Sequence, residues 1–341
     1  MDWFLQSGNE SDVIVTSKIT LARNISGIRF ATKMTKQEKV NVYNKMKEIT
    51  PSIGYGLKFL DLKNIPLIDR QCLAEKHIIS KNFADGKFPE SALIINDDEN
   101  IAIKVNGENH IEIIGIAAGL ELSNLMNLLI EIDQKLETFI PYSYSEKYGY
   151  LTSNPTDVGT GMRAYVYVHL PAIEITGNIR NLSNMVSNLS LSLKGVYGET
   201  NKIEGDIYRI SNNQTLGVTE KEIIKNLNII SNKVCQQERT ARKFLTKNSI
   251  ELEDSVYRSY GILTNARKVG LFESLELLSD VKLGVDLGII TEINDKKVKE
   301  LYLYTKSAHM ANYIKADKKL SETEEEIARS KVIKQILSKE D

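Results

Sequence analysis

The sequence predicts an α+β protein, with a mixed part of strands and helices followed by a part that is helical throughout. Three observations carry this. Short apolar or alternating runs at Ala92–Ile95, Ile101–Val105 and 165–170 have strand character and are bounded by turn residues. Stretches with helical spacing of apolar residues lie at 36–49, 69–79, 120–136, 181–193 and 221–245. From about residue 251 the strand pattern stops, and helices are expected near 251–266, 272–287, 295–305 and 322–339. The expected division is therefore 1–250 and 251–341.

Bulk properties agree with two folded parts. A chain of 341 residues exceeds what one core usually organises. Hydrophobic content of 42% with 26% charged residues is that of a soluble globular protein. A net charge of −1 points away from nucleic acid and membrane surfaces as partners. Cys72 and Cys235 offer neither a metal-ligand spacing nor a disulfide framework, which suits a reducing cytoplasm. The N-terminus is polar and no apolar run approaches membrane-spanning length, so neither export nor anchoring is expected.

The stretch richest in chemistry is 150–171, YLTSNPTDVGTGMRAYVYVHLP. A polar turn, Thr152-Ser153-Asn154-Pro155-Thr156-Asp157, leads into Gly159-Thr160-Gly161, and Arg163 opens a strand. Two glycines permit backbone approach to a bulky ligand, and an arginine beside them can grip an anion. Read without a ligand, the same residues make a hairpin loop before a core strand. In the order of the chain, Val13-Ile14-Val15 begins a short strand that by itself reads as an edge strand, with polar residues outward.

The 150–171 stretch resembles the signature of the ATP:guanido phosphotransferases, C-P-(T/S)-N-x-G-T-G-x-R-A, which holds a guanidine substrate and an ATP phosphate. Asn154 stands where that family usually has cysteine. From about Val13 to its end the chain is similar to the bacterial protein-arginine kinases. The resemblance implies an antiparallel sheet flanked by helices, then a C-terminal helical domain. It also implies ATP and Mg²⁺ as cofactors and arginine-bearing proteins as substrates.

The resemblance assigns roles residue by residue. Ser17-Lys18-Ile19-Thr20-Leu21-Ala22-Arg23 matches S-R-x-R-x-x-R, making Ser17, Lys18, Ile19, Thr20 and Leu21 nucleotide-binding, with lysine and threonine where the family has arginines. Lysine serves phosphate as a point charge without the bidentate fork. His77, in Ala74-Glu75-Lys76-His77, matches a histidine that sits against the nucleotide. Asn106-Gly107-Glu108-Asn109-His110-Ile111-Glu112 resembles N-E-E-D-H-(I/L)-R, so Glu108 matches the carboxylate that pairs with the reacting guanidinium. A guanidinium is a poor nucleophile until a carboxylate orients it and takes a proton. Glu112 occupies the position of a phosphate-binding arginine.

Arg163 is catalytic by this match, and Arg163, Ala164, Tyr165, Val166 and Tyr167 line the nucleotide. Lys194-Gly195-Val196-Tyr197-Gly198-Glu199 resembles R-G-x-Y-G-E, which makes all six nucleotide-binding and Glu199 catalytic. Of five family arginines around the phosphates, Arg163 remains, Lys18 and Lys194 replace two, and Thr20 and Glu112 replace two more. In the C-terminal part, Glu325-Glu326-Ile327-Ala328-Arg329-Ser330 matches R-D-x-x-R-A, a phosphoarginine-binding motif, with Arg329 kept and both acidic changes against that ligand. An apolar stripe with Leu271, Phe272, Leu277, Leu278, Val281 and Leu287 must bury within the chain or against a second copy, and the resemblance implies a homodimer. Two functions follow, a protein-arginine kinase or a catalytically impaired relative that binds partners in protein quality control; a kinase for a small guanidino compound is a third, against which the C-terminal domain counts.

Overall fold

The computed structural model describes residues 3–196, 205–316, 318 and 320–338. Its strands are β1 (Ile14–Arg23), β2 (Lys58–Asp61), β3 (Ala92–Ile95), β4 (Ile101–Val105), β5 (Ile111–Ala118), β6 (Tyr144–Ser145), β7 (Gly149–Tyr150), β8 (Met162–His169), β9 (Leu191–Gly195) and β10 (Ile207–Asn212). Eight of them form one antiparallel sheet in the order β2-β3-β4-β5-β1-β8-β10-β9, while β6 and β7 make a small ribbon. Strand β1 is therefore central rather than an edge. Its ladders to β5 and β8 use most of its length, and residues 19–24 are all buried.

Because side chains alternate along a strand, the sheet has two unlike faces. Ile19, Leu21, Ile103, Ile113, Ala164, Val166 and Ile210 point to one side and join the main hydrophobic core. That face is covered by α1 (Lys36–Ile53), α4 (Leu122–Glu137) and α7 (Glu220–Leu245). Helices α1 and α7 each begin with a capping box, Thr35 with Glu38 and Thr219 with Glu222, which satisfies first-turn amides. Gly115 on β5 lets α4 lie close, since a Cβ there would meet Leu129 and Leu125 methyls at 3.1–3.3 Å. The opposite face is covered at its β2–β5 end by α2 (Leu67–Glu75), α3 (Lys81–Ala84) and Trp3, and at its β8–β10 end His169 and Ile207 meet the C-terminal region.

Two helix expectations are corrected. The helix expected over 181–193 is α6 (Ile179–Ser187); Ser190 then turns with φ of 56°, and Leu191 and Leu193 pair with Asn212 and Ile210 as edge strand β9. The helix expected to 79 ends at Glu75, so His77 lies beyond it at φ of 60°. Strands β2 and β5 and the helices α3, α5 (Pro171–Ile175) and α11 (Ser307–Tyr313) had no counterpart in the expected elements.

The C-terminal region packs α8 (Ser249–Asn265), α9 (Leu271–Asp286), α10 (Asp295–Tyr304), α11 and α12 (Glu322–Ser338) around a core of its own. From the predicted stripe, Leu278 and Val281 bury here within one chain, Leu271, Leu277 and Leu287 pack against that core partly buried, and Phe272 stays 51% exposed. Polar contacts fasten this core to the sheet. His169 Nε2 lies 2.8 Å from Ser279 Oγ, which donates to Asp206. The Glu75 carboxylate at the end of α2 accepts the first amides of α11, from Ala308 and His309, at 2.8 and 3.0 Å. Among the described residues no helix is long and apolar enough to cross a membrane.

Candidate active site

The part of the second sheet face formed by β1, β8, β10 and β9 carries the site. Ladder partners share a face, and the registers bring Lys18 opposite Tyr165, Thr20 opposite Arg163, Thr16 opposite Tyr167, Tyr167 opposite Arg209, and Arg209 opposite Lys194. Of the predicted nucleotide residues, Lys18, Thr20, Arg163, Tyr165, Tyr167 and Lys194 therefore share this surface. Ser17, Ile19, Leu21, Ala164 and Val166 point to the helix-covered side. Ser17 is spent there, donating to the Gly119 carbonyl and accepting from the Glu121 amide. Gly195 closes β9 opposite Tyr208, and Val196 is buried beside it. Tyr197, Gly198 and Glu199 lie outside the described residues.

Lys18 is held by the His77 carbonyl, to which its ammonium donates. Burial pushes its pKa down to about 8, against the pull of Glu112 and with further repulsion from Lys104 and Arg209. The His77 ring stacks on Tyr167, with centroids 5.1 Å apart and planes 20° apart. Burial, then Lys306 and Lys18, hold that imidazole well below its ordinary pKa, so it is neutral. The stack forms one wall of a cavity of about 70 Å³ that also takes in Thr16, Val196, Ile207 and Tyr302. A larger groove of about 770 Å³, lined by residues of α5 to α7 such as Met185 and Phe244, holds none of the predicted site residues.

Glu108 sits at the rim of this face. Its carboxylate accepts from Lys104 at 3.1 Å and from Ser80 Oγ at 3.4 Å. Burial favours the neutral acid, but the Lys104 charge and the hydrogen bonds from backbone, Lys104 and Ser80 together outweigh it and hold Glu108 below the ordinary carboxylate range. Glu112, predicted to confront the phosphates, instead pairs with Lys104 at 2.6 Å across the β4–β5 ladder. Local sequence did not identify Lys104. The available signal was a lysine inside the apolar run Ile101-Ala102-Ile103-Lys104-Val105, four residues before Glu108. A lysine only 4% exposed on its side chain needs such partners.

The glycine loop is arranged differently from the ligand cradle its composition suggests. Gly159 (φ 115°) and Gly161 (φ 63°) are pressed against this chain's own backbone: a Cβ would meet the Thr215 carbonyl at 2.1 Å and the Ala22 carbonyl at 2.6 Å. Arg163 is engaged as well. Its Nε donates to Asp157 at 2.6 Å, Nη1 to the Asn212 carbonyl and Nη2 to the Thr156 carbonyl. Arg163 thus clasps the polar turn onto β10. Asn154, in the cysteine position, accepts from the Thr156 amide and caps the short turn Pro155–Asp157.

Arg23 anchors the loop from beneath. It pairs with buried Asp133 at 2.7 Å, donates to the Thr160 carbonyl, and lies 3.6 Å from the centre of the Tyr150 ring. Asn109 accepts from both Asn24 and the Ser153 amide at 2.9 Å, which ties the Glu108 turn to the glycine loop.

Known proteins place this geometry. Residues 37–241 match the ATP:guanido phosphotransferase C-terminal catalytic domain, and residues 249–341 match the protein-arginine kinase McsB C-terminal domain. The chain belongs to the ATP:guanido phosphotransferase family. It is 38% identical to a protein-arginine kinase of Halothermothrix orenii over 337 residues, covering 97% of this chain and 95% of that one. It is 36% identical to the protein-arginine kinase of Bacillus subtilis over 341 residues, covering 98% and 93%.

Solved guanido kinases share the fold. A duplicated taurocyamine kinase of Schistosoma mansoni superposes with a TM-score of 0.60 at 21% identity, over 70% of this chain and 35% of that one. A lombricine kinase gives 0.59 at 21% identity over 68% of each chain. As a guanido phosphotransferase, the chain departs from the family pattern in its C-terminal motif too. Arg329 is 2% exposed and donates to the Thr305 and Val269 carbonyls at 2.8 and 3.0 Å. Glu325 bonds Ser307 Oγ and Glu326 pairs with Lys268, so both acidic residues join α12 to its neighbours.

Proposed function

We propose that this protein is a protein-arginine kinase, transferring the ATP γ-phosphoryl group to arginine side chains of proteins. The observation that carries the reading is near-full-length similarity to protein-arginine kinases, including the helical C-terminal domain, taken here as residues 251–341. The sheet face supports it. An ionised Glu108 stands at the edge of a surface on which Lys18, Lys194 and Arg209 have no carboxylate partner among the described residues.

In this reading the polyphosphate lies over Lys18 and Lys194, with the nucleotide against the His77–Tyr167 stack. Glu108 receives the target guanidinium, orients one nitrogen toward the γ-phosphorus and accepts its proton as the N–P bond forms. The P–O bond to the β-phosphate breaks and ADP leaves. Such a transfer has a loose transition state, so positioning and cationic stabilisation supply most of the rate. Among the described residues no cluster of three or more His, Cys, Asp or Glu side chains could hold a metal. Mg²⁺ would enter with the phosphates, where it would neutralise charge.

A homodimer joined through the helical domain, working in the cytoplasm, completes the proposal. Exposed Phe272 and Ile262 supply apolar surface on that domain, and a monomer mass by light scattering at micromolar protein would exclude the dimer. One observation favours the second reading, a catalytically impaired binding protein of a quality-control system. The Arg163 guanidinium is committed to Asp157 and to backbone carbonyls. The deciding experiment is incubation with labelled ATP-Mg²⁺ and an arginine-rich protein. Acid-labile, base-stable label on protein establishes the kinase, and its absence leaves the binding protein.

A further inference from the structure

No motif match assigns Arg209 a role, yet it stands on the cationic face. It lies on β10 directly between Tyr167 and Lys194 on the neighbouring strands, so all three share one surface. Like charges directly opposite on a ladder destabilise a sheet, and here arginine faces lysine with Lys18 on the same surface. Three other arginines, Arg23, Arg239 and Arg242, meet carboxylates within 3.2 Å. Arg209 meets none among the described residues. Its guanidinium lies 5.1 Å from the Tyr165 ring centre, and its Nε is buried without a hydrogen-bond acceptor.

A buried donor without an acceptor is costly, and a guanidinium with no carboxylate partner among the described residues, facing a lysine across the ladder, adds to that cost. Both costs vanish when a polyanion sits on this face. We propose that Arg209 is a phosphate-binding residue for the nucleotide, supplying from β10 the guanidinium that positions 20 and 112 do not. Its forked donors reach two phosphate oxygens at once, which neither Lys18 nor Lys194 can do. The inference rests on the ATP-dependent reading above and extends it to a residue outside the family pattern.

The test is calorimetric titration of the full chain with ATP-Mg²⁺ and, separately, adenosine, for the parent, Arg209→Gln and Arg209→Lys. Arg209→Gln is expected to weaken ATP at least about tenfold, the scale of a charge-assisted bidentate contact. Arg209→Lys should fall between, and adenosine binding should be unchanged in all three. Equal ATP affinity in parent and Arg209→Gln overturns the proposal. So does a parallel loss of adenosine binding, which would mark Arg209 as packing for Tyr165 and Tyr167. If the parent binds no ATP, the kinase reading fails on its own, and titration with inorganic tripolyphosphate then decides Arg209. Binding by the parent that Arg209→Gln removes supports the anion site, whereas equal binding, or none, overturns it.

Discussion

Lys104 and Glu112 face each other across the β4–β5 ladder with 2.6 Å between ammonium and carboxylate, and the same ammonium reaches Glu108 at 3.1 Å. Glu112 is therefore the second anchor of a lysine that steadies the candidate base, rather than a bare negative charge turned on the phosphates. Burial alone would push the Lys104 ammonium toward neutrality, but Glu112 and Glu108 outweigh it and raise its pKa. The cation stays charged.

Lys104→Met should accordingly cost stability and disturb the base. Removing one partner of a buried pair costs on the order of 3 kcal/mol, less where the other partner reaches water. Urea unfolding measures that part. Glu108 is held low in the folded protein, so its contribution to stability is present above its ordinary pKa and lost as pH falls through the depressed one. In the variant, the acid limb of the kcat/KM profile should move to higher pH. Glu112→Arg alone sets a second cation against buried Lys104 and should be worse than Lys104→Met/Glu112→Arg. A more stable single variant would contradict the pairing.

Glu108→Gln should lower kcat at least about a hundredfold, the range for a positioned general base, with ATP affinity little changed. A variant that phosphorylates protein at the parent rate removes Glu108 from the mechanism.

Lys18 predicts a pH effect of two signs. Its folded pKa, about 8, lies below its ordinary value, so the unfolded chain holds the proton more tightly between those limits. Its contribution to apo-protein stability therefore rises with pH across that window. ATP affinity should fall over the same range as the ammonium deprotonates. Calorimetry near pH 8 in buffers of different ionisation enthalpy should detect proton uptake on ATP binding. No uptake would take Lys18 out of contact with phosphate.

Much of the fold was legible because it rests on local periodicity. The helix starting at Lys36 and the hairpin of β3 and β4 follow from apolar spacing and turn residues. The edge strand β9 was not, since Leu191 and Leu193 suit a helix until β10 offers its free edge. In the site, motif matching reached Lys18, Glu108 and Arg163, whose neighbours in sequence identify them. It could not reach Lys104 or Arg209, because ladder register alone brings them to the site. Gly159 and Gly161 are a mixed case. Only glycine fits, as the pattern suggested, but the close neighbour is this chain's own backbone.

Arg329 predicts a negative result. Its guanidinium is buried and bonds two carbonyls, so free phosphoarginine should show no saturable binding to the parent. Arg329→Ala should instead destabilise the helical domain by roughly 2–4 kcal/mol, through lost packing and carbonyls left unsatisfied. Saturable phosphoarginine binding that this substitution abolishes would reverse the assignment.

Glu75 gives the two cores a common joint. It closes α2 on one side, receives the first amides of α11 on the other, and stands two residues before the imidazole that stacks on Tyr167. The wall formed by His77 and Tyr167 is thus mortised into the helical domain rather than merely roofed by it. In the proposed reading, a substrate protein or twin subunit held by that domain would bear on His77 through a connection two residues long. Coupling carried this way is reciprocal, so in that reading nucleotide occupancy would alter the grip on the far side by the same factor.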